Sequence, residues 1–80
     1  MSKYSALRRH LEGEVGPSVE MTFDEIDHVV GALPASARRY SAWWSNELDG
    51  THVQAHAWMD AGWRVESVNL TAEKVRFAQS

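Results

Sequence analysis

The chain has 80 residues, 44% of them hydrophobic and 24% charged, values that exclude long disorder and leave room for one domain over residues 1–80. With no cysteine it has no disulfide framework, thiol nucleophile or thiolate metal site, as expected of a protein in the reducing cytoplasm. A net charge of −3 works against binding nucleic acid through phosphates alone; no apolar run reaches the ~20 residues that span a bilayer, and MSKYSALRRHLEG is too polar for a secretory leader, so no membrane partner is expected.

The first helix is expected over residues 2–11, where Tyr4, Leu7 and Leu11 recur at i, i+3 and i+7 and Gly13 offers a stop. Glu14 to Ser18 reads as a linker, and Val19 and Met21 alternate with polar neighbours as in a short strand. Thr22-x-x-Glu25 has capping-box spacing and opens a second helix with Phe23, Ile26, Val29 and Val30 as its buried stripe and Gly31 as its end. After Leu33-Pro34 a third helix is expected to run on to Asn46, with Ala37, Tyr40 and Trp44 on the inner face and Arg38, Ala42 and Ser45 displaced outward. Trp43 and Trp44 lie about 100° apart on such a helix, so either one is a surface anchor or both wedge between helices.

Glu47 to Gly50 reads as a loop, and Thr51 with Gln54 repeats the capping-box spacing to start a fourth helix through Ala61. Its wide apolar arc, Val53, Ala55, Ala57, Trp58, Met59 and Ala61, suggests deep burial, and Gly62 closes it. Trp63 to Leu70 and Lys74 to Ala78 form a closing hairpin through Thr71-Ala72-Glu73. Val75 and Phe77 point in, Lys74 and Arg76 out. In the first strand Trp63 and Val65 have one parity and Val68 and Leu70 the other, which requires a bulge or a late start near Glu66; the late start is the expectation. The whole is mainly α: four helices plus a small sheet, with Tyr4, Leu7, Leu11, Phe23, Ile26, Val29, Val30, Leu33, Tyr40, Trp44, Trp58, Val65, Val68, Val75 and Phe77 as the core.

No residue set spells out a reaction. Between His10 and Ala37 there is no Lys or Arg, while Glu12, Glu14, Glu20, Asp24, Glu25 and Asp27 all fall there, so the fold can present one acidic and one basic side. A capped helix, a Gly/Pro turn and a second helix with paired arginines form a helix-turn-helix pattern. Arg38, Arg39, Ser41, Ala42, Ser45 and Asn46 then make a candidate recognition face, since Arg suits guanine or phosphate and Asn suits adenine. Arg64, Lys74 and Arg76 make a candidate phosphate grip on the hairpin. Both sets are equally compatible with solvated surface. His52 and His56 stand at i, i+4, but two imidazoles without a further ligand hold a metal poorly, so neither metal nor cofactor is expected. Asp24 and Glu25 have capping and dipole roles at a helix N-terminus. No Ser, His and Asp stand in a catalytic motif, and an enzyme is not expected.

The pattern Phe23 to Ile26, Gly31, Leu33 to Ala37, Trp43 to Asn46, Ala57 to Trp63 and Val75 to Phe77 resembles a family of small bacterial and phage-encoded domains without an assigned function. The order of elements is also similar to winged helix-turn-helix domains, with one departure: the helix from Thr51 to Ala61 stands between the recognition helix and the wing. Either the third or the fourth helix then enters a groove. The family resemblance implies kinship and little chemistry. The helix-turn-helix residues carry the expectation of a DNA-binding module, a small transcriptional regulator or accessory factor reading double-stranded DNA with the helix around Arg38 to Asn46 and the closing hairpin. The small size of the chain leads to the expectation of a homodimer. The alternative is a protein-interaction module using the acidic face at residues 12–27 and an exposed tryptophan.

Overall fold

The computed structural model describes residues 3–47 and 53–80. Among these it contains α1 (Ser5–Glu12), β1 (Ser18–Thr22), α2 (Phe23–Val30), α3 (Ala35–Arg39), a 3-10 turn (Ser41–Trp44), α4 (Ala55–Met59), β2 (Trp63–Asn69) and β3 (Lys74–Gln79). The class is α+β: helices cover one face of an antiparallel sheet in the order β1-β3-β2. The loop at residues 48–50, the Thr51 cap, His52 and the start of the first helix at Ser2 lie outside the described residues.

Local signals account for α1 and α2. Leu7 and Leu11 are buried on one stripe of α1, which closes as the Gly13 N–H donates to the His10 carbonyl and the Glu14 N–H to the Leu11 carbonyl. At α2 the capping box is complete: the Glu25 N–H donates to Thr22 Oγ1 (3.1 Å) and the Thr22 N–H donates to Glu25 Oε1 (2.8 Å). Gly31, at φ 101°, takes the backbone where a side chain would be strained and returns its N–H to the Asp27 carbonyl.

The hairpin resolves its parity differently from expectation. β2 starts at Trp63 and carries a bulge at Glu66, so that Val65 pairs with Phe77 and Ser67 with Arg76. One extra residue switches parity without shortening the strand, which turns Trp63, Val65 and Val68 alike toward the core. β1 pairs with β3 from Ser18–Ala78 to Thr22–Lys74. Where β1 becomes α2, the Phe23 N–H donates to the carbonyl of Glu73 in the hairpin turn, at 2.9 Å.

A column of rings runs through the core: Phe23 stacks on Trp44 (centroids 5.2 Å apart), Trp44 on Trp58 (5.8 Å), and Trp58 meets Phe77 (5.8 Å). Such contacts contribute about 0.5–1.5 kcal/mol each beyond burial. Every buried indole N–H in the column's neighbourhood has an acceptor: Trp44 donates to the Ala37 carbonyl, Trp58 to Asn46 Oδ1 and Trp63 to the Leu11 carbonyl, each at 2.9 Å. Trp43 is half-buried and sets its edge on Trp44 (4.7 Å), so both members of the pair pack against the core.

The third helix is not continuous. It ends at Arg39; Tyr40 is extended (φ −127°, ψ 122°), and the chain resumes as the 3-10 turn. In a continuing helix the Ala37 carbonyl would accept the Ser41 N–H; it accepts the Trp44 indole instead. The break lets Trp44 reach the column, and it expels Tyr40, which is 61% exposed rather than part of the core.

Candidate nucleic-acid interface

The residues expected to line one recognition face are divided by the break at Tyr40. Arg38 turns inward to three carboxylates from three places in the chain: Glu73 in the hairpin turn (2.6 Å), and Asp27 and Asp24 of α2. Its guanidinium also lies 5.8 Å from the centre of the Phe23 ring. Hydrogen bonds to Glu73 and then to Asp27 hold the guanidinium above its already high ordinary range. Asp27 is held below the usual carboxylate range, first by the Leu33 N–H that donates to it at 2.7 Å and then by Arg38, with burial opposing. Arg38 therefore fastens α3 to α2 and to the hairpin turn. Glu73 completes that fastening from a left-handed backbone (φ 55°), a conformation costing a non-glycine residue about 1 kcal/mol.

Asn46 is also committed. Its Nδ2 donates to the Val65 carbonyl (2.9 Å), while Oδ1 accepts the Val65 N–H (2.8 Å) and the Trp58 indole N–H (2.9 Å). The amide acts as a one-residue strand against the open edge of β2, which would otherwise present unpaired backbone there. Sequence spacing does not announce this role, because Val65 lies 19 residues away.

Arg39, Ser41 and Ala42 are exposed at the break, beside the exposed ring of Tyr40, and Ser45 is half-buried. Among the described residues no side chain bonds to that of Arg39 or Tyr40. On the hairpin Arg64 donates to the Gln79 carbonyl (3.1 Å), and the half-exposed Lys74 and Arg76 stand 4.0 Å from Glu20 and 3.9 Å from Glu66. Arg38 brings α3 against the hairpin turn at Glu73, so Arg39 and Lys74 each follow a residue of one ion-paired knot.

His56 bonds to Asp60 on its own helix (3.1 Å). Among the described residues no group of His, Cys, Asp and Glu assembles as a metal site, and no helix is long and apolar enough to cross a membrane.

The arrangement is that of a small α+β domain whose helices seat on a closing hairpin sheet. The chain belongs to the family described as Domain of unknown function (DUF7662), whose model matches residues 4–80 and so takes in every element above. No curated protein and no solved structure matches it.

Proposed function

We propose that the chain is a DNA-binding module of the winged-helix kind, a small transcriptional regulator or accessory factor with duplex DNA as its partner. The observation that carries this reading is topological. A helix, a strand, further helices and a hairpin follow in order, with β1 joining the hairpin as β1-β3-β2. This layout sets a helix beside a hairpin turn, as a winged helix does. A fold alone does not define function, so the exposed side chains matter. On and beside α4 the exposed side chains are Val53, His56 and Asp60, with no Lys or Arg among them, whereas α3 offers Arg39. α3 and the turn after it are therefore the reading element, with Arg39, Ser41 and Ala42 facing DNA and Arg64, Lys74 and Arg76 holding phosphates. Arg38 and Asn46 position this surface from behind. A single 9.0 kDa reader makes few contacts, so a two-fold dimer on a palindromic site follows.

A gel-shift titration with genomic fragments tests it. The protein should retard duplex at low salt, and Lys74→Ala and Arg76→Ala should each weaken binding to all sequences alike while lowering the salt slope by about one. Absence of any shift at low salt would refute the reading.

One observation favours a protein partner instead. Lys74 and Arg76 are balanced by Glu20 and Glu66, and an apolar groove over Met21 and Val29 is rimmed by His10, Asp24, Glu25 and His28. Under that reading Asp24→Lys abolishes a pull-down that Arg39→Glu leaves intact. Asp27 is unsuitable for this test, because it holds the Leu33 backbone.

A further inference from the structure

Two adjacent side chains stand apart from the ion-paired surface around them. Arg39 is exposed, Tyr40 is 61% exposed, and among the described residues neither side chain has a hydrogen bond, ion pair or ring contact. The backbone that carries them is held from both directions. The Tyr40 N–H donates to the Ser36 carbonyl (2.9 Å), the Tyr40 carbonyl accepts the Trp43 N–H (3.1 Å), and the preceding turn is anchored through Ala37 to Trp44 and through Arg38 to three carboxylates. An aromatic ring projects into solvent from a fixed mount. A tyrosine has two side-chain torsions to immobilise, so ligand binding on this ring costs little further order.

The charge balance indicates what it meets. A chain of net charge −3, whose Arg38 is occupied by carboxylates and whose Lys74 and Arg76 each reach a phosphate in competition with a nearby glutamate, draws only part of its affinity from phosphates. Nucleic-acid affinity in such a protein needs a contact that is not ionic. Base stacking on an aromatic face is one, and it tolerates any sequence because every base has a π-face. An intact duplex buries its base faces in the stack; an unpaired base exposes them.

We propose that Tyr40 is a stacking platform for an unpaired base, with Arg39 gripping the adjacent phosphate, so that the preferred ligand is DNA with a single-stranded segment. This rests on the DNA-binding reading above and narrows its ligand. Arg39 supplies the ionic contact next to the stacked base, and on single strands each phosphate neutralised adds only about −0.7 to the salt slope.

The test is fluorescence anisotropy with a labelled oligothymidine, a blunt duplex of equal length and the same duplex with a central single-stranded gap. The single strand and the gapped duplex should bind about tenfold tighter than the blunt duplex. Tyr40→Ala should remove that preference with the melting temperature unchanged, and Tyr40→Phe, which keeps the ring, should retain it. Equal affinity of Tyr40→Ala and the parent for the single strand overturns the proposal, as does a Tyr40→Phe variant as weak as Tyr40→Ala. Duplex binding that survives either result leaves the DNA-binding reading standing, whereas a parent protein that binds none of the probes overturns both.

Discussion

Residues 35–46 divide into an inner and an outer set, although the two have similar chemistry. Arg38 and Arg39 are neighbours, yet Arg38 is bound to Glu73, Asp27 and Asp24, and Arg39 has no bonded partner among the described residues. Trp44 is 2% exposed and Tyr40, four residues earlier, is 61% exposed. Asn46 carries three hydrogen bonds of the fold, while Ser41 and Ala42 face solvent. Arg38 and Arg39 part because neighbours on α3 stand about 100° apart, and beyond the break at Tyr40 the 3-10 turn buries Trp44 while leaving Ser41 and Ala42 exposed. Residue type alone thus says little about which arginine is available for a ligand; the path of the backbone decides it.

The division fails first if the inner set proves dispensable. Trp44→Ala and Trp58→Ala should each cost about 3–5 kcal/mol, enough to unfold a domain of ordinary stability, as read by circular dichroism on heating. Asn46→Ala comes next. It leaves the Trp58 indole N–H and the Val65 backbone groups without their partner, a loss of about 1–3 kcal/mol in urea denaturation. An Asn46→Ala protein that melts like the parent but loses DNA would move Asn46 to the outer set.

Much of the architecture was legible in sequence, because its signals are local. The capping box at Thr22, the stripe on α1, the stop at Gly31 and the closing hairpin each rest on spacing within a few residues, and each formed where expected. The break at Tyr40 was not legible. It depends on the Trp44 indole taking the Ala37 carbonyl, a competition that periodicity cannot weigh. The same limit hid the ties of the candidate site: Arg38 meets Glu73 across 35 residues and Asn46 meets Val65 across 19, pairings that only the folded chain defines. At Glu66 the mixed parity signalled an irregularity correctly, and the bulge prevailed over a late start because it keeps Trp63 and Val65 both paired and inward.

Smaller effects sharpen the same contrast. Arg38→Gln should lower the melting temperature less than Asn46→Ala does, since its carboxylate partners are partly solvated. Acid should act on the inner set too. Asp27 and Glu25 both have carboxyl groups held below their usual range, Asp27 chiefly by the Leu33 N–H and Glu25 chiefly by the Thr22 backbone. Groups lowered on folding contribute stability that is complete above their unfolded values of about 3.9–4.3 and is lost as pH falls through the folded values. The melting temperature should therefore be level from about pH 7 to 5 and fall below about pH 4, with Asp27→Asn reducing that fall.

The most direct measurement pairs affinity with stability in one variant of the outer set, Arg39→Glu. Its melting temperature should stay within the equivalent of about 0.5 kcal/mol of the parent, because no described side chain depends on Arg39. Its affinity for DNA in anisotropy titration should drop by about tenfold or more, through a lost phosphate contact and added repulsion. Unchanged DNA affinity in a stable Arg39→Glu protein would contradict the account.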